Sequence, residues 1–352
     1  MKKIVGILAV AAMATSMFAA EVAGNLKLNG KLANFDGDNF TLLHAPDVES
    51  NPWGNQTLKL SINADVAGAS VDFLSKKATA TSAKVDTKAE KPEDWVKVSD
   101  VDAVLGCNWK IWFKPADMVK LTVGNLDGYE LNSETIEYTN LVSNSGWGYA
   151  GEVNVDAFSL VISTTSDKWL GKDNEVPNLY LRAGYAADFG KIQAALKATD
   201  TFKVLNIAAG YSGSADSISY FADVLFGMDS KGETTVNSLA ADAFLRYGAD
   251  ALEVKAYLKA EIPMESGAAF KIAPKAYVGY QLDACKVSCV VDANTITIQE
   301  GNKYPLTEVN VIPKVEGNFG GMGWEVSAKM GIPCAEGKKF TVEVPFGINM
   351  NF

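Results

Sequence analysis

Polar residues, many of them charged, occupy every second position in many segments of this chain, and that spacing is the first clue to its chemistry. Glu253, Lys255 and Lys259, for example, alternate with apolar neighbours between residues 252 and 260. Charged residues in such alternating segments are Lys27, Lys31, Lys59, Asp65, Glu152, Arg182, Asp223, Arg246, Glu253, Lys255, Lys259, Lys271, Lys275, Lys286, Glu316, Glu325 and Lys329. So many charges cannot be buried away from water. They predict a surface in contact with water that acts on ions and polar solutes.

Residues suited to catalysis are scarce. His44 is the single histidine, and neither a nucleophile elbow nor an HExxH pattern accompanies it, so we predict no enzymatic activity. Cys285 and Cys289, placed roughly 13 Å apart along one strand, are too distant to form a disulfide. The segment from Asp36 to Asn39 offers oxygen ligands for calcium but lacks the EF-hand spacing, which favours a polar turn. We therefore expect no cofactor and no metal site.

Composition excludes several classes of protein. The formal net charge of -10 argues against nucleic-acid binding. Lys2, Lys3 and the apolar segment 4–14 predict a Sec signal peptide at residues 1–20, leaving 21–352 as a single domain. Beyond it, no apolar run approaches the ~18 residues that a membrane helix needs. A membrane protein with this sequence would have to cross the bilayer with strands.

The last fourteen residues show the strand pattern most clearly. Apolar and other residues alternate from Lys339 to Phe352, which predicts a strand with one apolar and one polar face. The same period of two recurs in segments of about ten residues, which is the length of a tilted strand that crosses a bilayer. The chain therefore predicts an all-β fold, a transmembrane antiparallel β-barrel of about 18 strands, with 16 as the fallback.

Short and long connections alternate between these predicted strands. Short links are predicted near 67–68, 115–116, 156, 189–190, 213–214, 248–249, 283 and 320–321. Long links are predicted near 36–55, 75–101, 126–146, 166–177, 228–237, 262–269, 299–306 and 332–338, with 199–202 as a short member of this class. This rhythm is typical of short periplasmic turns and longer extracellular loops. Pro274, Pro313 and Pro345 fall inside predicted strands, where we expect bulges or an error of frame.

The signal segment, the alternating links and the terminal strand ending in Phe352 together resemble those of Gram-negative outer-membrane porins. The N-terminal segment also resembles those of spirochaete outer-sheath proteins. The resemblance covers the whole of residues 21–352 as an architecture, and its most specific element is the terminal strand. It implies that the barrel-assembly machinery reads this strand through Phe352, Met350 and Ile348.

The resemblance also implies a narrow section of the channel. In porins the third long loop folds inward, and by its order that loop is 126–146 here, with acidic residues Asp127, Glu130, Glu134 and Glu137. Strands halfway around the ring carry the basic residues Arg246, Lys255, Lys259, Lys271, Lys275 and Lys286. Facing acid and base would create a transverse field across the channel. A solvated acidic loop on the outer face is the alternative interpretation.

The expected function is that of an outer-membrane porin, a water-filled channel for passive diffusion of small hydrophilic solutes and ions. A substrate-selective channel for sugars or peptides, a surface adhesin or structural barrel, and a secreted β-sandwich remain open alternatives. Expected partners are outer-membrane lipid and the barrel-assembly machinery, with no nucleic acid. Monomer and homotrimer both remain open, because a subunit interface on a barrel wall looks like a lipid-facing surface. Cation and anion preference are equally open.

Overall fold

A computed structural model of the chain describes most of the predicted domain. The described residues are 21–42, 57–78, 84–85, 96–97, 103–126, 128–136, 139–166, 177–265 and 267–352. The predicted signal peptide at 1–20, His44, most of the 75–101 link, Asp127 and Glu137 lie outside these residues. No helix within the described ranges has the length and apolar character to cross a membrane.

The described residues form a closed antiparallel β-barrel of 18 strands, which confirms the predicted fold and the higher of the two predicted strand counts. Each strand pairs with the next in sequence, and the last pairs with the first. The strands are β1 (Glu21–Phe35), β2 (Phe40–Leu42 and Thr57–Asn63), β3 (Ala67–Ala78), β4 (Ala103–Ala116), β5 (Val119–Leu126), β6 (Gly146–Val155), β7 (Phe158–Ser166), β8 (Asn178–Ala187), β9 (Gly190–Thr199), β10 (Val204–Ala215), β11 (Ile218–Asp229), β12 (Val236–Ala249), β13 (Leu252–Pro263), β14 (Phe270–Gln281), β15 (Cys285–Asp292 and Ile296–Ile298), β16 (Glu308–Phe319), β17 (Met322–Ser327 and Lys329–Pro333) and β18 (Thr341–Asn351). A two-stranded ladder joins Lys84–Val85 to Val96–Lys97 in the β3–β4 link.

Short and long links alternate around the ring, as the sequence predicts. Several turns, however, lie two or three residues away from the predicted glycines, as in the turn at 216–217, predicted at 213–214. Three of the short turns begin with an aspartate of positive φ: Asp156, where the turn lies as predicted, and Asp216 and Asp250, with φ of 48°, 49° and 49°. Aspartate tolerates this left-handed conformation because its side chain can bond to the local backbone.

Pro274, Pro313 and Pro345, the prolines predicted to disturb strands, each face an irregularity in a neighbouring strand. Opposite Pro345 the register of β1 shifts between Lys31 and Ala33. The break in β15 follows Asp292, which pairs beside Pro274, and Ala328 interrupts β17 opposite Pro313. Proline cannot donate a ladder hydrogen bond, so the neighbouring strand departs from regular pairing there.

The two faces of the wall have opposite chemistry. Ile162 is 48% exposed while the adjacent Ser163 is 1% exposed, and Val224 is 53% exposed beside Asp223 at 1%. A soluble protein would bury the apolar member of each pair. Here the outer surface is apolar and the polar side chains point into the barrel, as expected of a wall between lipid and a polar lumen.

Candidate functional site: an inward loop against the lumen wall

The link between β5 and β6 folds into the barrel as a hairpin. Tyr129 and Asn144 exchange two backbone hydrogen bonds, of 3.0 and 3.3 Å, and the Leu131 N–H donates to the Val142 carbonyl at 3.2 Å. This paired segment, residues 128–145 without the undescribed 137–138, is called the inward loop below. Its two legs hydrogen-bond to each other's backbone N–H and C=O groups, so the loop can enter the lumen as an ordered hairpin.

The stem of the inward loop packs against small and aromatic residues of the wall. Leu131 and Val142 form a buried cluster with Tyr180 of β8, Ala195 of β9 and Ala208 of β10. Because the side chains of Ala195 and Ala208 are small, the loop can pack closely against the inner face of the wall. The hydrophobic effect of burying these apolar side chains holds the loop against the wall but does not fix its orientation.

Hydrogen bonds from inward side chains fix the direction of the stem. The Asn144 amide donates to Ser163 Oγ and its carbonyl accepts from Thr165 Oγ1, both at 2.9 Å. Gln193 donates to the Leu131 carbonyl at 2.6 Å. Because all four of these side chains are buried, each bond also removes the penalty of an unpaired polar group.

Two cations of the wall bind carbonyl groups of the same loop. Lys197 Nζ lies 2.6 Å from the Ser143 carbonyl oxygen. Arg182 donates to the carbonyl of Glu130, so this predicted constriction residue contacts the wall through its backbone. These bonds extend the contact of the loop along β8 and β9.

The far end of the inward loop reaches strands β11 to β14. Ile136 packs against the inward aromatic cluster of Phe221, Phe244 and Tyr257. Among the predicted acidic residues, Glu134 is fully buried, accepts a hydrogen bond from Thr139 and lies 3.5 Å from Lys275 Nζ on β14. The structure therefore brings Glu134 and Lys275 into direct contact.

This contact differs from the predicted arrangement, in which the acidic loop faces the basic strands across a gap. The inward loop lies against β7 to β14, so the strands that carry all the predicted basic residues except Lys286 of β15 are beside it. Loop order on an 18-stranded ring predicts where a loop starts, and the contacts made by side chains determine how far it extends along the wall.

The other predicted basic residues pair with carboxylates of the wall itself. Arg246, Lys255 and Lys286 surround Glu253 at 2.7, 3.3 and 2.8 Å. Glu261 lies 3.1 Å from Lys259 and 3.7 Å from Lys271. Arg246–Glu253 and Lys271–Glu261 join neighbouring strands, Lys255 and Lys259 each contact a carboxylate two residues away on β13, and Lys286 reaches Glu253 across β14.

A cavity of about 360 Å³ remains between the inward loop and the wall formed by β2 to β6. Trp112 lies on this wall, and the Nζ atoms of Lys114 and Lys120 are 5.7 and 6.0 Å from its ring centroid. Polar and aromatic residues at this cavity include Lys59, Lys110, Trp112, Lys120, Tyr129 and Glu152. Sequence reasoning did not single out Trp112, although its inward position follows from the period of two.

Replacement of Lys275 by Met tests the contact at the far end of the loop. It removes one partner of a buried ion pair, which typically costs about 3–5 kcal/mol, so the loop should detach part of the time. We expect more frequent current fluctuations in single-channel recordings. The double variant Glu134→Gln/Lys275→Met should restore a quieter trace; equal noise in both variants would argue against the pair as an anchor.

The predicted assembly residues share the outer face of β18. Ile348, Met350 and Phe352 alternate there, and Phe352 is 70% exposed. Phe352 and Gly24 of β1 exchange backbone hydrogen bonds of 2.6 and 2.9 Å, which closes the barrel at its seam. Recognition by the assembly machinery stays a prediction.

The cysteines and the Asp36 turn, which the sequence analysis considered as disulfide or metal sites, have simple surroundings. Within the described residues, no group of three or more His, Cys, Asp or Glu side chains is placed to hold a metal, and Cys285, Cys289 and Cys334 are free thiols. Asp36 accepts backbone N–H groups of Asn39 and Asp38, which lowers the pKa of its carboxyl and defines a polar turn.

No known family model and no curated protein sequence matches the chain. Solved structures of similar fold include Acinetobacter baumannii OccAB4, with a TM-score of 0.60 and 11% identity over 94% of this chain and 98% of that one. Pseudomonas aeruginosa OpdK, solved with vanillate, has a TM-score of 0.59 and 10% identity over 95% and 98%. P. aeruginosa OpdO has a TM-score of 0.59 and 9% sequence identity over 95% of this chain and 97% of that one. The chain therefore has the 18-stranded β-barrel fold of outer-membrane porins.

Proposed function

We propose that the chain forms a water-filled outer-membrane channel through which small hydrophilic solutes and ions diffuse. The observation that supports it is the arrangement of the wall, with an apolar outer face and charged side chains inside a closed ring of 18 strands. A ring of this size is too wide for its own side chains to fill. The outer face would contact membrane lipid, and the predicted signal peptide and terminal strand would direct export and assembly. The proposed role is transport, with no enzymatic step.

The inward loop would form the narrow section of this channel. It covers the lumen side of β7 to β14 and leaves the passage beside β14 to β18 and β1 to β6. Glu130 and Glu134 would then act by shaping and anchoring the loop, because Glu134 is buried against Lys275. Asp127 and Glu137 would belong to the same element by sequence.

We further infer a preference for anions, although the whole chain carries a charge of -10. In the described strands, inward basic residues outnumber inward acidic ones, and several acidic residues lie in the short turns. The inward basic residues are Lys27, Lys31, Lys59, Lys110, Lys114, Lys120, Arg182, Lys191, Lys197, Arg246, Lys255, Lys259, Lys271, Lys275, Lys286, Lys314 and Lys329. The inward acidic residues are Glu21, Asp72, Glu152, Asp223, Asp229, Asp242, Glu253, Glu261, Asp292, Glu308, Glu316, Glu325 and Glu343. Charges that line a pore set ion preference more directly than charges outside it.

Reversal potentials of the purified protein in a potassium chloride gradient test this inference. The wild type should favour chloride, and the double variant Lys27→Glu/Lys59→Glu should shift the preference toward potassium. Lys303→Glu, in the β15–β16 link, is the matched control and should change little. Potassium preference in the wild type would contradict the assignment of anions, and the absence of ohmic conductance would instead favour the adhesin alternative.

A substrate-selective channel is the second candidate. The neighbour OpdK was solved with vanillate, an aromatic carboxylate. The cavity beside Trp112, Lys59 and Lys120 combines an aromatic ring with cations, which would suit a solute of that chemistry. Block of chloride current by vanillate, weakened in Trp112→Ala, would support selectivity; unchanged current would favour general diffusion.

A further inference from the structure

A row of inward side chains crosses four strands beneath the inward loop. Gln193 of β9, Gly210 of β10, Asp223 of β11 and Asp242 of β12 are successive partners in the ladder. The three side chains are 2%, 1% and 4% exposed, respectively. Two carboxylates thus occupy directly opposed positions on neighbouring strands, out of contact with the solvent.

Each of these side chains uses one of its polar atoms to bind the loop or the wall. Asn132 of the loop donates to Asp223 Oδ1 at 2.6 Å and accepts from Gln193 Nε2 at 3.1 Å. The Tyr257 hydroxyl donates to Asp242 Oδ2 at 2.9 Å. The other oxygens, Gln193 Oε1, Asp223 Oδ2 and Asp242 Oδ1, are buried without a hydrogen-bond partner in the described residues.

Gly210 makes the arrangement possible. A Cβ atom at this position would lie 2.0 Å from Asp223 Oδ1 and 2.9 Å from Asn132 Nδ2, so the carboxylate and the loop amide fill the space that a side chain would need. The inward loop therefore packs directly onto this row of the wall. The two lysines of the surrounding wall each contact another carboxylate, Lys275 at 3.5 Å from Glu134 and Lys259 at 3.1 Å from Glu261.

Three buried oxygen acceptors lack donors in the described part of the chain, and two of them belong to carboxylates opposed on neighbouring strands, so a bound cation would compensate them. Burying adjacent carboxylates without compensation is costly, and a hard cation takes oxygen ligands of this kind. Calcium suits the site better than magnesium, because calcium accepts irregular coordination whereas magnesium demands near-ideal octahedral geometry. Waters buried together with the ion would complete its shell.

We propose that Asp223, Asp242 and Gln193 bind a calcium ion between the lumen wall and the inward loop. Through Asn132, which bonds both Asp223 and Gln193, the ion would hold the loop against β9 to β12. This site is separate from the polar turn at Asp36 and from the solute path beside Trp112.

Terbium, a luminescent substitute for calcium, provides the test. Tyr257 contacts Asp242 and would sensitise bound terbium, so the full-length protein in detergent should emit on tyrosine excitation, and calcium should quench this emission by competition. We expect Asp223→Asn and Asp242→Asn each to lower the apparent affinity at least tenfold. Glu325→Gln, which removes a wall carboxylate paired with Lys314, should leave it unchanged.

Metal binding is measured here without any channel recording, so its failure and the failure of the proposed transport function are distinguishable. Heat-modifiable migration in SDS checks that each variant folds. If either asparagine variant fails to fold, Gln193→Met takes its place, because it removes a ligand without removing a charge. The site would be overturned if the asparagine variants left the emission unchanged. It would also be overturned if the wild type gave no emission at neutral pH, in which case a shared proton or bound water would compensate the carboxylates.

Discussion

Replacing residues 130–143 with an Asn-Gly turn should raise single-channel conductance about twofold or more, since it clears one side of a lumen that the wall alone cannot fill. The excision is compatible with the fold because Tyr129 and Asn144 already pair through two backbone hydrogen bonds. A two-residue turn of this type closes such an antiparallel pair. Planar-bilayer recording of the detergent-purified protein measures the change directly.

A matched excision elsewhere separates this effect from general disturbance. The link from Ser230 to Thr235 joins β11 to β12 and lies outside the inward hairpin, so replacing 231–234 with Gly-Gly should leave conductance unchanged. The larger excision also exposes Tyr180 and its neighbours, so we expect some loss of thermal stability. A folded excision variant with wild-type conductance would show that the inward loop does not limit flow.

The faces of the strands follow from the sequence because a strand has a strict period of two. Once Leu252 and Leu258 are assigned to lipid, Glu253, Tyr257 and Lys259 must face the lumen, and the structure places them there. A slip by one residue would put a whole row of charges into hydrocarbon. Water on one side and lipid on the other therefore determine the register independently of any single contact.

The turns were harder to predict because glycine has a second use in this barrel. The sequence predicts a turn at Gly213, yet this residue lies inside β10 against the Tyr220 ring: a Cβ atom there would be 2.8 Å from the Tyr220 hydroxyl oxygen. Glycine permits this close approach because it has no side chain. The true turn begins at Asp216, whose positive φ the sequence does not reveal.

The path of the inward loop was also beyond prediction. Ser163, Thr165 and Gln193 look like ordinary lumen-facing polar residues, and only the folded loop shows that Asn144 and Leu131 bind them. These contacts join residues far apart in sequence, and no local pattern encodes them. The acidic composition of the segment indicates a special loop, whereas its stem is attached largely through neutral side chains of the wall.

Replacing Gly24 with Ala should impair closure of the barrel. A Cβ atom at this position would lie 2.2 Å from Cε2 of the Phe352 ring, so the ring would have to turn away and lose its contact with Gly24, next to the two backbone bonds of the seam. Because Phe352 is 70% exposed, the cost should be about 1 kcal/mol, at the lower end of what overpacking a core costs. We expect a smaller fraction of compact, heat-modifiable protein in SDS after refolding into detergent micelles.

Two controls test whether the clash with the Phe352 ring causes the loss of refolding expected in Gly24→Ala. A Cβ atom on Gly151 would meet only Leu121, at an ordinary 3.6 Å, so Gly151→Ala should refold like the wild type. Because Phe352→Ala removes the clash, the double variant Gly24→Ala/Phe352→Ala should refold no worse than Phe352→Ala alone. Additive losses in that cycle would mean that Phe352 is not seated on Gly24, and the terminal aromatic would then act at the seam only through its backbone.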